Sequence, residues 1–311
     1  MNTIKCKVCN NWNIKMLGEY WNINNLCYCK KCNTYFIEKT FTDKELEKYY
    51  QWFTFNGDKW NSKIIIFLKN IILKWVYYKK AKKVKKTILK YTSKKSILDF
   101  WGGVWWFSYW FKKNWYDVSM IEYDQESINQ AKKKWIKSYI LWKGIWQFPI
   151  VFSFHIIEHY ENLHGFFENI TKYIEPNGIF ILSLPNKDCK EFYRTEYVEW
   201  YLEEAHFKIE KQEFLDNTWF CIDPPRHLYA ISKETIFYLS KEHWFEILDY
   251  FSESSSNESF SANFMYSMFN IRSLSDIIKF IRYFILWEIN MKKNKYWWNS
   301  LVFILKKISW K

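Results

Sequence analysis

An α/β fold built on a doubly wound, mostly parallel sheet, with a small cysteine-rich module in front of it, is what this sequence predicts. Three observations carry that expectation. Two Cys-x2-Cys pairs stand near the start, strand-like and helix-like runs alternate from Ser96 to Leu184, and the first of those strands ends in an acid and a short turn. Apolar runs separated by helices of about ten residues argue for parallel strands joined by right-handed crossovers.

In chain order, residues 1–40 form the cysteine module. Cys6-x2-Cys9 is followed, after nineteen residues, by Cys29-x2-Cys32. Two such knuckles can fold back on each other and present four thiolates tetrahedrally to one zinc ion, the zinc-ribbon arrangement. Four protein ligands close the site, so the expected Zn2+ is structural. Disulfides are the alternative, and a reducing compartment disfavours them. Cys27 has the wrong spacing to displace Cys29, while Cys189 and Cys221 read as small apolar residues.

Residues 41–95 read as a helical connector. The acidic and aromatic run from Asp43 to Tyr50 suggests a short helix, with a loop around Asn56-Gly57-Asp58. From Asn61 to about Tyr91 apolar residues recur at threes and fours (Ile64, Phe67, Leu68, Ile71, Ile72, Trp75), which predicts an amphipathic helix with a lysine-rich end.

Residues 96–311 form the main domain. Ile97–Phe100, Val118–Glu122, Ile150–Phe154 and Ile179–Leu184 read as strands, with a further strand at Tyr139–Leu141. Phe107–Lys113, Gln125–Lys134 and Gly165–Ile174 read as the helices between them, the last ended by Glu175-Pro-Asn-Gly178. An irregular, substrate-side insertion occupies about 185–230. Ser232–Lys241 then reads as a helix, Phe245–Tyr250 as a strand, Ser252–Ser261 as a serine-rich loop and Leu301–Leu305 as the final strand.

Composition bounds the rest. Apolar residues make up 49% of the 311, which excludes a disordered chain. The net charge of +13 is carried mostly by lysine, densest from Lys79 to Lys95, and reads first as solvated helix faces. No run reaches the 18 or so uninterrupted apolar residues of a spanning helix. Lys69, Asn70 and Lys74 break Ile64–Tyr78, and Lys279, Arg282 and Glu288 break Ile277–Ile289, a segment that could still lie on a membrane surface. MNTIKCKVC lacks a signal peptide's apolar core, so a cytoplasmic location is expected. Nothing in the sequence sets an oligomeric state.

In a doubly wound sheet the turn after the first strand lies where ligands bind. Here that turn is Asp99-Phe-Trp101-Gly102-Gly103-Val-Trp105, and Glu122 ends the next strand. Glycine belongs in such a turn because the backbone takes positive φ and the ligand approaches it closely. Read with glycine at 101 and 105, the stretch becomes Asp99-x-Gly-x-Gly103-x-Gly.

At this point the chain resembles the Rossmann-like class I S-adenosylmethionine-dependent methyltransferases, in the branch with an N-terminal CxxC zinc-binding region. "LDFWGGVWWFSYWFKKNWYDVSMIEYD" is similar to that family's first motif through its strand-two acid. "VFSFHIIEHYENLHGFFENITKYIEPNGIFILSLPN" is similar to its fourth-strand motif, and "DPPRHLYAISKETIFYLSKEHWFEI" to its Pro-Arg-His-Leu segment. The resemblance implies S-adenosylmethionine as cofactor, held by Asp99, Trp101, Gly102, Gly103, Trp105, Glu122 and Phe154. It makes His155, Glu158 and His159 the candidate catalytic groups, a neutral histidine or carboxylate being able to take a proton from an acceptor. Arg226 and His227 would meet the acceptor. The family's acid for the adenine amino group has no counterpart after Tyr139–Leu141.

The expected acceptor is a small molecule or glycan. RNA is less favoured, since no interleaved basic-aromatic strand motif is present. If the loop indoles are real they block the cofactor, and the chain is a pseudoenzyme or binding scaffold.

The loop also departs from the resemblance in one residue type. The chain has 7 glycines where average usage gives about 22, and it has 20 tryptophans. Trp101, Trp105, Trp115, Trp135 and Trp244 all fall where the family has glycine. Trp115 precedes the second strand, and Trp135 and Trp244 stand where helices end. Five such losses predict UGA codons that the source cell decodes as glycine and that are written as tryptophan in the sequence. The Lys, Asn, Ile and Phe bias of an AT-rich gene agrees.

Overall fold

The computed structural model describes residues 4–20, 24–42, 44–45, 63–103, 105–140, 146–187, 222, 227–253, 278 and 300–308. Within these residues the chain divides into two compact units.

The first unit holds the cysteine module. Strands β1 (Ile14–Tyr20), β2 (Asn24–Cys29) and β3 (Thr34–Ile37) form an antiparallel meander, in register from Ile14↔Cys29 and Leu26↔Ile37. The knuckles Cys6-Lys-Val-Cys9-Asn10 and Cys29-Lys-Lys-Cys32-Asn33 each close on an asparagine at φ 54°. Asparagine is among the side-chain-bearing residues that tolerate this left-handed conformation best.

The second unit begins within helix α1 (Lys63–Ile88), the long helix expected from the sequence. Its sheet comprises β4 (Ser96–Phe100), β5 (Asp117–Glu122), β6 (Lys137–Ile140), β7 (Phe148–Phe154) and β8 (Ile174–Pro185). Between them run α2 (Trp106–Lys113), α3 (Gln125–Lys132) and α4 (Leu163–Tyr173). Pairs β4/β5, β5/β6, β4/β7 and β7/β8 are all parallel. Strand β4 is buried from Ile97 to Phe100 and β7 from Phe148 to Ser153, the unbroken burial of strands covered on both faces. Phe107 and Phe111 of α2 pack edge-on or tilted against Phe152, and Ala81, Val84 and Ile88 of α1 join that core.

After β8 the next described strand is β9 (Tyr229–Ala230), which pairs with β3 through Tyr35↔Ala230 and extends the meander to β1-β2-β3-β9. Sequence reading leaves Tyr229 at the end of the irregular insertion. A two-residue strand has no periodicity to read, and its partner lies about 190 residues earlier. Helix α5 (Lys233–Glu242), β10 (Phe245–Glu253) and β11 (Ser300–Lys307) follow. The sheet order is β10-β11-β8-β7-β4-β5-β6, so the chain winds outward from β4 in both directions. This is the mostly parallel, doubly wound α/β fold expected.

No helix among the described residues is long and apolar enough to cross a membrane. The expected short helix and loop at 43–58, the helix at 277–289 and most of the insertion at 185–230 lie outside the described residues.

Trp101, Trp115, Trp135 and Trp244 take φ of 60°, 65°, 61° and 62°. Trp105 does not: it precedes α2 at φ −22°. The left-handed conformation therefore sets off four of the five expected replacements and does not include position 105. Its indole is buried, packs on Trp106 and donates from Nε1 to Gln130 Oε1 at 3.0 Å.

Candidate functional site

The outward winding from β4 opens a crevice between the carboxyl ends of β4 and β7, where ligands bind in such sheets. The residues that line its β4 side are organised by two carboxylates. Asp99 is buried near the end of β4, and its Oδ2 accepts a hydrogen bond from Ser108 Oγ of α2 at 2.6 Å. Burial pushes its carboxyl up to about 6, Ser108 and Lys80 working against that and the nearby Glu122 charge with it.

Glu122 ends β5 and reaches back across the turn. Its Oε2 accepts from the Gly103 amide at 2.7 Å, and its Oε1 accepts from the amides of Tyr123 and Asp124 at 2.7 and 3.2 Å. Burial raises its carboxyl, opposed by those three amides. One side chain thus orders both the loop after β4 and the turn into α3, which Asp124 caps by accepting from Ser127 N at 2.7 Å.

The glycines of the loop differ in what they require. A Cβ on Gly102 would lie 2.7 Å from the Met120 side chain and 2.9 Å from Asp99 Oδ2. Gly103 has φ 48° and a Cβ there would meet nothing within 4 Å, so its outer side faces open space. The amides of Trp101 and Gly102 donate to Ile121 O at 2.8 and 3.3 Å. The Trp101 indole packs on Tyr160, with ring centroids 5.6 Å apart. Its Nε1 is buried and has no hydrogen-bond partner among the described residues.

On the β7 side, His155 sits at φ 55° and donates its amide to Ser183 O of β8 at 2.8 Å. Its Nδ1 lies 3.6 Å from Glu158 Oε1 in the 3-10 turn Ile157–His159, and its Nε2 lies 3.4 Å from Ser183 Oγ. Glu158 is fully buried and His159 half-buried. Phe154 packs on Phe107 at 4.8 Å with Lys80 Nζ 4.2 Å above its ring, so it joins the core beside α1 and α2. His227 is buried in the first unit, next to Leu228, whose carbonyl accepts from Ile37 N. Arg226 lies outside the described residues.

Sequence reasoning missed Ser108, Lys80, Tyr160 and Ser183. Ser108 had a signal: it is a lone hydroxyl between Phe107 and Phe111 on the buried face of α2, where a polar group needs a partner.

The cysteine module makes a separate centre in the first unit. Cys6 Sγ lies 3.6 Å from Cys32 Sγ and Cys9 Sγ 3.5 Å from Cys29 Sγ, and all four sulfurs fall within 4.8 Å of one another. These spacings exclude disulfides, whose S–S bond is about 2.05 Å, and match the edges of a tetrahedron with metal–sulfur bonds of about 2.3 Å. A hydrogen bond from Cys32 brings the Cys6 thiol down to about 5, helped by the Val8 and Cys9 amides that point at its sulfur. Burial lifts Cys9 to about 11, and the Cys6 hydrogen bond with burial raises Cys32. Cys27 stands on β2 opposite Phe36 of β3, and burial and Glu38 push it up to about 12. The Cys32 carbonyl accepts from Ser232 Oγ and Thr235 Oγ1 at 2.8 Å each and from Thr34 Oγ1 at 3.2 Å. Ser232 also caps α5 by accepting from Thr235 N at 3.1 Å.

Comparison with known proteins gives one family. A model described as "Methyltransferase domain" matches residues 72–279. A search of curated proteins returned no match. Among solved structures, the chain is similar to coclaurine N-methyltransferase bound to N-methylheliamine and SAH, at 12% identity and TM-score 0.46, covering 72% of this chain and 71% of that one. It is also similar to 1,6-didemethyltoxoflavin-N1-methyltransferase of Burkholderia thailandensis, at 10% identity and TM-score 0.47, covering 92% and 96%.

Proposed function

This chain belongs to the methyltransferase domain family, and from that membership we propose that it moves a methyl group from S-adenosylmethionine to a small-molecule or glycan acceptor. The observation that carries the reading is the pairing of two buried carboxylates, Asp99 and Glu122, around a loop in which Gly102 is packed against Met120 and Asp99 while Gly103 faces open space, at the switch point of the sheet. Asp99, Gly102, Gly103 and Glu122 would hold the cofactor, a cation in its sulfonium and ammonium groups, against negative charge in a site of low dielectric. When bound, S-adenosylmethionine supplies an electrophilic methyl group on sulfur.

The chain's own contribution is mostly placement. In-line displacement at a methyl group gains most of its rate from orientation and exclusion of water. His155, whose ring sits between Glu158 and Ser183, is the group best supported to accept an acceptor proton, with Glu158 and His159 behind it. Arg226 and His227 are proposed to meet the acceptor. The four-thiol cluster is proposed to hold one structural Zn2+, with Cys6, Cys9, Cys29 and Cys32 as ligands. A cytoplasmic location goes with reduced thiols.

Titration calorimetry with S-adenosylhomocysteine, on the chain carrying Trp101→Gly, tests the cofactor reading. Micromolar binding is expected. A folded chain that takes up no S-adenosylhomocysteine overturns it. RNA as acceptor predicts binding of bulk RNA whose affinity falls steeply between roughly 50 and 200 mM salt.

A further inference from the structure

We propose that positions 101, 115, 135 and 244 carry glycine in the functional protein, each codon being a UGA that the source cell decodes as glycine. The sequence singles out the four positions by their place in motifs, and the backbone separates them from the other described tryptophans on physical grounds.

Every one of the four lies in the left-handed region, at φ of 60–65°. A bulky side chain there is an outlier, because its Cβ crowds the following carbonyl. Elsewhere the chain meets the same demand with residues that tolerate it: Asn10, Asn33 and Asn177 at φ 54°, 54° and 61°, and Gly103 at 48°. Among the described residues, only His155 and the four tryptophans depart from that habit.

Local hydrogen bonding shows why positive φ is fixed at two of them. After α2, Tyr116 N bonds Phe111 O at 3.2 Å and Trp115 N bonds Lys112 O at 3.3 Å. After α3, Ile136 N bonds Ala131 O at 3.2 Å and Trp135 N bonds Lys132 O at 2.9 Å. Both are complete Schellman closures, and in both tryptophan occupies the C′ position that glycine ordinarily holds. Trp244 N bonds Lys241 O at 3.4 Å at the end of α5, half of the same pattern.

Three of the four side chains stand largely in solvent. Trp115, Trp135 and Trp244 are 86%, 84% and 50% exposed, against the burial usual for indoles. At 101 the indole is half-buried instead, packed on Tyr160 with a buried Nε1 that finds no partner among the described residues. Trp105 and Trp110 behave otherwise: neither has positive φ, both are packed, and they are tryptophan under this proposal.

Glycine at these four positions resolves all of it together: two helix ends regain their ordinary residue, three exposed indoles vanish, and the buried, unpartnered indole nitrogen at 101 goes with them. The 7 glycines and 20 tryptophans of the chain fit a single systematic exchange better than four separate ones.

Two measurements decide the matter. Peptides spanning the four positions, taken from the protein of its own cell, are expected to carry glycine by mass. Tryptophan there, or UGG codons in the gene, overturns the proposal. In parallel, recombinant chains with Trp115→Gly, Trp135→Gly and Trp244→Gly are expected to gain about 2–4 °C in Tm each, the shift from relieving one left-handed side chain in a domain of this size. Trp115→Ala and Trp135→Ala keep the Cβ and gain little, while Trp110→Gly, in the middle of a helix, loses stability. Falling Tm for the glycine variants overturns the proposal. Positions 115, 135 and 244 lie off the cofactor loop, so their outcome is independent of the methyltransferase reading. A chain that gains stability yet binds no S-adenosylhomocysteine with glycine at 101 defeats only the latter.

Discussion

Replacing Asp99 by asparagine should change how stability depends on pH, and by a calculable amount. In the native chain burial raises this carboxyl from 3.8 to about 6, so between those values the folded protein holds a proton that the unfolded chain has released. The stability Asp99 contributes is then complete below about pH 4 and is lost as the pH rises to about 6, staying level above. The raised value corresponds to on the order of 3 kcal/mol, and full burial leaves little solvent screening to reduce it. Asparagine keeps an oxygen for the Ser108 hydroxyl and has no charge to desolvate. The difference in stability between Asp99→Asn and the parent should therefore grow by about 3 kcal/mol from about pH 3 to about pH 7, or about 1 M in the urea midpoint for an m-value of about 3 kcal/mol/M. Urea titrations of both chains at several pH values in that range measure it, and changes elsewhere in the molecule cancel in the difference. Parallel curves would refute the argument that burial governs this carboxyl.

Other perturbations follow from the same contacts. Gly102→Ala places a methyl 2.7 Å from Met120 and 2.9 Å from Asp99 Oδ2, and should cost about 1–3 kcal/mol by overpacking, measured as a lower Tm. Glu122→Ala frees three amides that now share one carboxylate. Introduced into the Trp101→Gly chain, it should weaken S-adenosylhomocysteine binding at least tenfold by calorimetry, and unchanged affinity would show that Glu122 does not order the loop. Dialysed protein should retain one zinc per chain by atomic emission, and Cys9→Ser should lose most of it. Chelation should lower Tm, since metal binding in such clusters is folding free energy.

Much of the sheet is legible in the sequence because strands β4, β5, β7 and β8 are apolar runs closed by turn residues, and burial on both faces leaves such runs unbroken. The switch-point carboxylates are legible for a different reason: the spacing from Asp99 to Glu122 spans one strand-helix-strand unit. Helix α3 ends two residues earlier than its pattern suggests, at Lys132, because the left-handed residue 135 needs a closing turn before it. Contacts made across long separations leave no such trace. Ser232 and Thr235 meet the carbonyl of Cys32 some 200 residues away, and no local pattern records that. Trp105 stands apart from the other four because a family motif marks a position without saying which φ this chain gives it.

Cys27 stands apart from the four clustered sulfurs, fully buried within the meander and opposite Met16 on one side and Phe36 on the other. Iodoacetamide reaches it only when those strands part, whereas the clustered sulfurs become open to the reagent once nothing holds them together. The module therefore carries two labelling signals of different origin. Label on Cys6, Cys9, Cys29 and Cys32 would time the loosening of the knuckles, and label on Cys27 would time the separation of β2 from its neighbours. Five native sulfurs thus make a clock with two hands, which runs without any engineered cysteine.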